Sequence, residues 1–111
     1  MAKLECELRG NFSQILNDIE NTVLQGSVSA NLEDSSDFNA MGGRCAVRVF
    51  ERYSWVGGNR VSLSLTLFES DGRIWLSAIT AGGSQAMFFK INTFGEEAFL
   101  DTIRDTVEQY R

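Results

Sequence analysis

The chain has 111 residues, a length typical of one domain, and its 43% hydrophobic and 23% charged residues are globular values. Fifteen acidic against ten basic residues give a net charge of −5, which argues against nucleic acid as a partner because phosphate is repelled. No apolar run approaches the ~20 residues that a membrane-spanning helix needs, and the first residues hold no apolar segment typical of a signal peptide. We therefore expect one domain over residues 1–111, located in the cytoplasm and binding neither membranes nor nucleic acids.

A strand and a helix are predicted first along the chain. Residues 3–9 alternate apolar and polar side chains, which indicates a strand that ends at Gly10. Asn11 is a favourable N-cap, and Gln14 occupies the capping-box position three residues later. The helix should stop near Gly26. Its apolar stripe, at three- and four-residue spacing, consists of Phe12, Ile15, Leu16, Ile19, Val23 and Leu24.

Short strands joined by glycine-containing turns are predicted for the middle of the chain. Residues 27–32 alternate weakly and indicate a second strand. The polar, acidic stretch over residues 33–39 is predicted as a loop or an irregular strand end. The remaining strands are predicted at residues 44–53, 60–70, 73–80 and, as a shorter sixth strand, 86–92. Three glycine doublets and an Asp-Gly pair lie between these runs, as expected of hairpins.

The last element is a helix that Thr93 should cap, with Glu96 at the capping-box position. Its apolar stripe consists of Phe99, Leu100, Ile103, Val107 and Tyr110. We therefore predict an α+β fold: an antiparallel meander of five or six strands with two helices on one face, in the order strand, helix, four or five strands, helix. In topology this order resembles a shortened helix-grip, and that resemblance carries no function.

Parity sorts the strand residues into two faces, because successive side chains point to opposite sides of a sheet. One face is uniformly apolar and is expected beneath the helices: Cys45, Val47, Val49, Val61, Leu63, Leu65, Leu67, Ile74, Leu76, Ala78, Met87, Phe89 and Ile91. The other mixes hydroxyls and cations with five large apolar side chains: Phe50, Phe68, Trp75, Ile79 and Phe88. We expect a second copy of the chain, or else a ligand or another protein, to cover this second face, unless its apolar residues are scattered or residues 28–39 cover them.

Three arginines, Arg44, Arg48 and Arg52, fall on the second face at strand spacing. Guanidinium groups bind carboxylates and phosphates, so this arrangement suits an anion site. The alternative, which we favour, is a solvated edge strand that the charges protect against mispairing.

Few residues in this chain point to catalysis or metal binding. There is no histidine, the commonest general base and metal ligand, and the acidic loop lacks the spacing of a calcium-binding loop. Cys6 and Cys45 form no CxxC pair, so we interpret both as buried free thiols. We expect no metal and no cofactor.

The segment Gly82, Gly83, Ser84 and Gln85 has two interpretations. Paired glycines could expose backbone N–H groups to an anion, with the Ser84 and Gln85 side chains as further contacts. We favour a simple glycine hairpin turn.

Residues 79–100 resemble a known family. The stretches ITAGGSQ at residues 79–85 and FFKINTFGEEAFL at residues 88–100 are similar to a small bacterial protein family of about this length whose function is uncharacterised. The resemblance implies a cytoplasmic bacterial protein of unknown role, with no catalytic residues to carry over.

Three functions remain open. The first is a non-catalytic homodimeric or partner-binding module that uses the second face of the sheet. The second is a small-molecule binder, of an anionic or apolar ligand, with a pocket between the sheet and the C-terminal helix. An enzyme using acids, Ser84 or Cys45 comes last, because no base is visible. The candidate interface or ligand-binding residues are Phe50, Phe68, Trp75, Phe88, Arg48, Gly82, Gly83, Ser84 and Gln85.

Overall fold

The computed structural model describes residues 1–54, 59–82 and 89–111, with side chains in the last stretch described from residue 95 onward. Its elements are β1 (Ala2–Leu8), α1 (Phe12–Gln25), β2 (Asn31–Ala40), β3 (Gly43–Ser54), β4 (Asn59–Ser70), β5 (Arg73–Gly82) and α2 (Phe89–Glu108). The strands form one open antiparallel sheet in the order β1-β5-β4-β3-β2. This α+β architecture confirms the predicted fold class, with five strands.

The first helix forms where its capping residues predict it. Asn11 is the N-cap, and its Oδ1 accepts a hydrogen bond from the Gln14 N–H at 2.9 Å. The helix ends at Gly26, whose N–H donates to the carbonyls of Thr22 and Val23. Its buried residues are Phe12, Ile15, Ile19 and Val23.

Two tight turns join the described hairpins. Met41 and Gly42 connect β2 to β3 with φ values of 53° and 78°, and Asp71 and Gly72 connect β4 to β5 with 54° and 72°. Positive φ at both central residues is the type I′ geometry, whose twist matches that of antiparallel strands. The Asp71-Gly72 turn was predicted from its sequence.

The core lies between the helices and one side of β1, β5, β4 and β3. The central strands supply side chains that are no more than 2% exposed: Val61, Leu63, Leu65, Leu67, Ile74, Leu76 and Ala78. The second helix packs on β5, β1, β4 and α1 and contributes Phe99, Leu100, Ile103 and Val107, each at 0–1% exposure. Burying one such side chain is worth about 1.5–3 kcal/mol, so these layers supply most of the hydrophobic stabilisation.

The second strand lies further along the chain than predicted. It begins at Asn31 and runs through the acidic segment, which was expected to be a loop or an irregular strand end. Val28 lies outside the strand and is wholly exposed. Backbone pairing with β3, from Asn31↔Glu51 to Ala40↔Gly43, creates this strand. All its residues are exposed, so polar side chains carry no burial cost there.

The C-terminal helix starts earlier than predicted. It begins at Phe89, so Thr93 lies inside the helix and is not its cap. Residues 89–92 of the predicted sixth strand are helical, and residues 86–88 lie outside the described part of the chain. A short apolar run of this kind fits a strand or a buried helix equally well, which is why alternation misled the prediction.

The third strand has the opposite parity from the prediction. Phe50 pairs with Leu63 and Arg48 with Leu65, and directly opposite residues lie on the same face. Phe50 and Arg48 therefore lie on the helix side, and the prediction that they belong to the other face is wrong. Phe50 is 0% exposed. Odd- and even-numbered positions of β3 both carry apolar residues, so alternation alone could not show which set faces the helices. The residues that face away from the helices are Cys45, Val47 and Val49.

Candidate functional site

The side of the sheet opposite the two helices is uncovered in the described part of the chain, and we call it the open face. Its centre, on β3, β4 and β5, is half-buried or exposed and consists of Cys45, Val47, Val49, Ser62, Ser64, Thr66, Phe68, Trp75, Ser77, Ile79 and Ala81. Every one of these side chains is uncharged. The open face therefore combines apolar groups with small hydroxyls.

One line of directly opposite residues crosses four strands of this face. Phe38 pairs with Cys45, Cys45 with Phe68, and Phe68 with Trp75. The Phe68 and Trp75 rings stack with centroids 5.9 Å apart at an interplanar angle of 25°. Phe38, Phe68 and Trp75 are 60%, 41% and 36% exposed. We call these four residues the aromatic row.

Charged side chains lie at the border of the open face and largely pair with each other. The Arg73 guanidinium lies 4.9 Å from the Trp75 ring centroid and forms two hydrogen bonds with the Glu7 carboxylate, at 2.8 and 3.1 Å. The hydrogen bonds from Arg73 lower the pKa of Glu7. At the opposite end of the strands, Arg60 pairs with Glu51 at 3.0 Å.

Two shallow depressions flank the Phe68 ring. One has a volume of about 450 Å³ and lies towards β1; its lining includes Glu5, Glu7, Thr66, Trp75 and Ser77. The other has a volume of about 270 Å³ and lies towards the β2–β3 turn; its lining includes Phe38, Met41, Cys45 and Ser70. Phe68 lines both, so it stands as a ridge between two hollows.

The three arginines of β3 lie on the helix side, so the prediction that they belong to the other face is wrong. Arg48 pairs with Glu20 of α1 at 2.8 Å and with Asp37 of β2 at 3.0 Å, and its side chain is 11% exposed. Because two carboxylates neutralise it, Arg48 is poorly suited to hold a further anion. The edge strand is β2 rather than β3, so the predicted role of these arginines as edge protection is also wrong.

The other two arginines pack over aromatic rings. Arg44 lies 4.2 Å from the ring centroid of Phe12, and Arg52 lies 4.6 Å from that of Phe99. Burial lowers the pKa of the Arg52 guanidinium. Their aliphatic stems extend the apolar core at the side of the helix layer.

The structure brings together some of the predicted site residues. Phe68 and Trp75 stack on the open face, whereas Gly82 is the last residue of β5 and pairs with Val61. The predicted residues outside the described part of the chain are Gly83, Ser84, Gln85 and Phe88. Open-face residues that sequence reasoning missed are Phe38, Cys45, Val47 and Val49. The β3–β4 pairing register would have identified the last three.

The groups that the open face presents are aromatic rings, methyl groups and hydroxyls. Across the described ranges, no three of the histidine, cysteine, aspartate and glutamate side chains converge as metal ligands. None of the helices described has the combination of length and apolar character that crossing a bilayer requires. Stacked rings, methyl groups and hydroxyls instead offer surface for packing and hydrogen bonding.

A search of curated proteins finds no match to this sequence. A family match, in contrast, spans residues 1–111. The predicted resemblance to an uncharacterised family is thereby confirmed, while the bacterial origin remains a prediction. Along its whole length, the chain belongs to the family described as "Family of unknown function (DUF6054)".

Proposed function

We propose that this protein is a non-catalytic homodimeric module whose two copies pack through the open face. The composition of that face carries the proposal. Its centre is uncharged and contains the exposed Phe68, Trp75 and Ile79, while Glu7, Arg73 and the other charges lie at its border. An uncharged, aromatic centre with a polar rim is the usual anatomy of a protein–protein interface.

The dimensions of the face also suit a dimer. Five strands about 4.8 Å apart and about ten residues long give a footprint of roughly 24 by 34 Å, or about 800 Å². A stable interface buries about 800 Å² on each partner. One sheet packed on its own copy therefore provides enough area without any further element.

The relief of the face supports a two-fold dimer. A two-fold axis places the same patch on both partners, so a ridge must find a hollow on an identical surface. The Phe68 ring stands between two hollows of about 450 and 270 Å³. Phe68 of each copy therefore has a hollow of suitable size to enter in the other.

A ligand pocket between the sheet and the C-terminal helix has less support. Phe99, Leu100, Ile103 and Val107 project from that helix into the core, and each is 0–1% exposed. In the described part of the chain these side chains fill the space such a pocket would need. Dimerisation is therefore the better supported of the two functions.

Native mass spectrometry of wild type and three variants tests the proposal. We expect wild type at twice the chain mass, and Phe68→Arg and Trp75→Arg as folded monomers, because each places an unpaired charge in the interface. That charge should raise the dimer dissociation constant about 100-fold or more. Leu24→Arg is the matched control: Leu24 is 41% exposed, like Phe68, but lies on α1, so this variant should stay dimeric.

Two results would contradict the dimer. The first is a monomeric wild type at ~100 µM, a concentration at which a micromolar dimer is fully formed. The second is a Phe68→Arg or Trp75→Arg variant that stays dimeric. Far-UV circular dichroism verifies that each variant is folded.

Cysteine alkylation shows which face the two copies bury. Cys45 lies in the aromatic row, so its reaction with N-ethylmaleimide should slow as protein concentration rises and stay fast in Trp75→Arg. Cys6 is the internal control on the helix side, where burial raises the pKa of its thiol and slows its reaction at every concentration. Equal concentration dependence at both cysteines would argue against the open face.

The proposed setting of this dimer is the bacterial cytoplasm. Cys6 and Cys45 are both free, which suits a reducing compartment. The net charge of −5 supports a protein partner over nucleic acid.

A further inference from the structure

The outer side of β2 has no partner strand in the described part of the chain. This strand pairs with β3 on its inner side, and all ten of its residues are exposed. The other edge of the sheet differs, since α2 packs on β1 and the Arg9 N–H beside it donates to the Tyr110 carbonyl at 2.6 Å. The Ser35 N–H already donates to Asp34 Oδ1 at 2.8 Å. The remaining outward N–H and C=O groups of β2 are available to an added strand.

The unpaired edge of β2 is regular over most of its length. The pairing register shifts between Leu32 and Asp34, which marks a bulge near the start of the strand. From Asp34 to Ala40 each residue pairs in turn with one residue of β3, from Val49 back to Gly43. These seven residues span about 24 Å at ~3.4 Å per residue, which is enough for a strand of typical length to pair alongside.

The charge on β2 indicates what kind of segment would pair beside it. It carries Glu33, Asp34 and Asp37 and no basic residue. Asp37 pairs with Arg48, but Glu33 and Asp34 form no ion pair with the described cations. A second copy of β2 would bring three more carboxylates into the same ladder, so self-pairing is opposed by like-charge repulsion.

We propose that β2 binds an extended, basic segment of another protein by strand addition. Backbone hydrogen bonds supply the affinity, and the carboxylates select lysine or arginine side chains. Asp34 and Phe38 lie four residues apart and both point to the open face, with Ser36 between them. The preferred segment therefore places a cation beside Asp34 and an apolar residue beside Phe38 on the same face.

The first test uses a fluorescent seven-residue peptide of alternating lysine and threonine, in which valine replaces the lysine meant to lie beside Phe38. We expect it to bind wild type and to slow amide exchange at least tenfold within residues 34–40. An otherwise identical peptide with glutamate in place of lysine should not bind, because it repeats the charge of the strand. The lysine peptide N-methylated at every backbone amide keeps its charge but cannot donate to β2 from either edge, so it should bind at least tenfold more weakly.

Two double charge-reversal variants distinguish the effect of the β2 carboxylates on binding from the effect of the protein's net charge. Glu33→Lys combined with Asp34→Lys should weaken binding of the lysine peptide about tenfold. Asp101→Lys combined with Asp105→Lys makes the same change in net charge on exposed positions of α2 and should weaken it less than twofold. Slow exchange of β4 amides verifies that both proteins are folded.

Four outcomes would overturn the proposal: no binding of the lysine peptide up to ~1 mM, undiminished binding of the N-methylated peptide, equal losses in the two double variants, or protection confined to amides outside residues 34–40. A fifth outcome would also overturn it: concentration-dependent protection of β2 amides without peptide that persists in Phe68→Arg, which would assign this edge to a second copy. The proposed dimer is tested separately by Phe68→Arg, so either proposal can fail alone.

Discussion

The sheet ends in two strands, β1 and β2, whose environments differ sharply. In β1, Ala2 and Leu8 are buried at 4% and 2% exposure, because the second helix covers that side of the strand. In β2, Leu32 and Phe38 remain 41% and 60% exposed. Both strands form a full antiparallel ladder with their neighbour. Backbone pairing is therefore sufficient to form a strand here, and burial depends on whether a second layer lies above it.

Truncating a leucine on each edge gives the largest contrast. Leu8→Ala should lower the free energy of unfolding by about 3 kcal/mol, because it leaves a cavity in the core. Leu32→Ala should lower it by less than about 0.5 kcal/mol, because that side chain is already partly in water. Urea unfolding followed by circular dichroism measures both. Equal costs would mean that β2 is covered in solution.

The next contrast concerns the arginine that links β2 to the rest of the protein. Arg48→Ala removes the group that pairs with both Glu20 and Asp37, and should cost about 2 kcal/mol because the Arg48 side chain itself is mostly buried. Arg48→Met keeps the aliphatic stem and should recover part of this loss. Arg60→Ala breaks the more exposed pair with Glu51 and is the control, expected at a quarter of the cost or less. Similar losses for the two alanine variants would argue against a special role for Arg48.

A buried hydroxyl stabilises the β1 edge by a smaller amount. The Thr80 hydroxyl is 0% exposed and lies 3.1 Å from the Glu96 carbonyl and 3.4 Å from the Ala2 carbonyl. Thr80→Val has nearly the same shape and should lose about 1 kcal/mol, the net worth of one hydrogen bond. Thr66→Val on the open face is the matched control and should be near neutral. A neutral Thr80→Val would show that this hydroxyl contributes nothing.

The smallest effect is electrostatic and concerns Glu7 on β1. Arg73 lowers the pKa of this carboxyl, so Arg73→Ala should raise the pKa towards its ordinary value. Because the folded pKa is the lower one, the ion pair stabilises the protein above the ordinary glutamate pKa. Its contribution is lost as the pH falls through the lowered value. Carbon NMR titration of the Glu7 carboxyl measures the shift, and an unchanged pKa in the variant would contradict it.

The sequence predicted those parts of the fold in which local signals and burial agree. The Asn11 cap, the Asp71-Gly72 turn and the apolar sides of β4 and β5 all lie where predicted. In each case the local signal and the covering layer favour the same structure.

Elsewhere the deciding interactions are long-range and leave little local signal. Val28 and Leu32 alternate, yet β2 is set by its pairing with β3. Arg48 and Phe50 are oriented by the pairing of β3 with β4, which the parity of β3 does not encode. The open face was therefore predicted with the correct Phe68 and Trp75, but with the wrong side of β3 opposite them.

The helix layer is narrower than the sheet, and the stems of the β3 arginines lie at the side of that layer. Two helices side by side cover about 20 Å, whereas five strands about 4.8 Å apart span roughly 24 Å. The second helix packs on β5, β1 and β4, so β2 extends past the helices as an overhang. Its tip is the turn at Met41 and Gly42, where Met41 is wholly exposed and a Cβ on Gly42 would meet nothing within 4 Å.

Added residues at that tip would displace no core side chain. The turn at the end of the overhang is therefore a place where this protein should tolerate an inserted epitope or a longer hairpin with little disturbance to the rest of the fold.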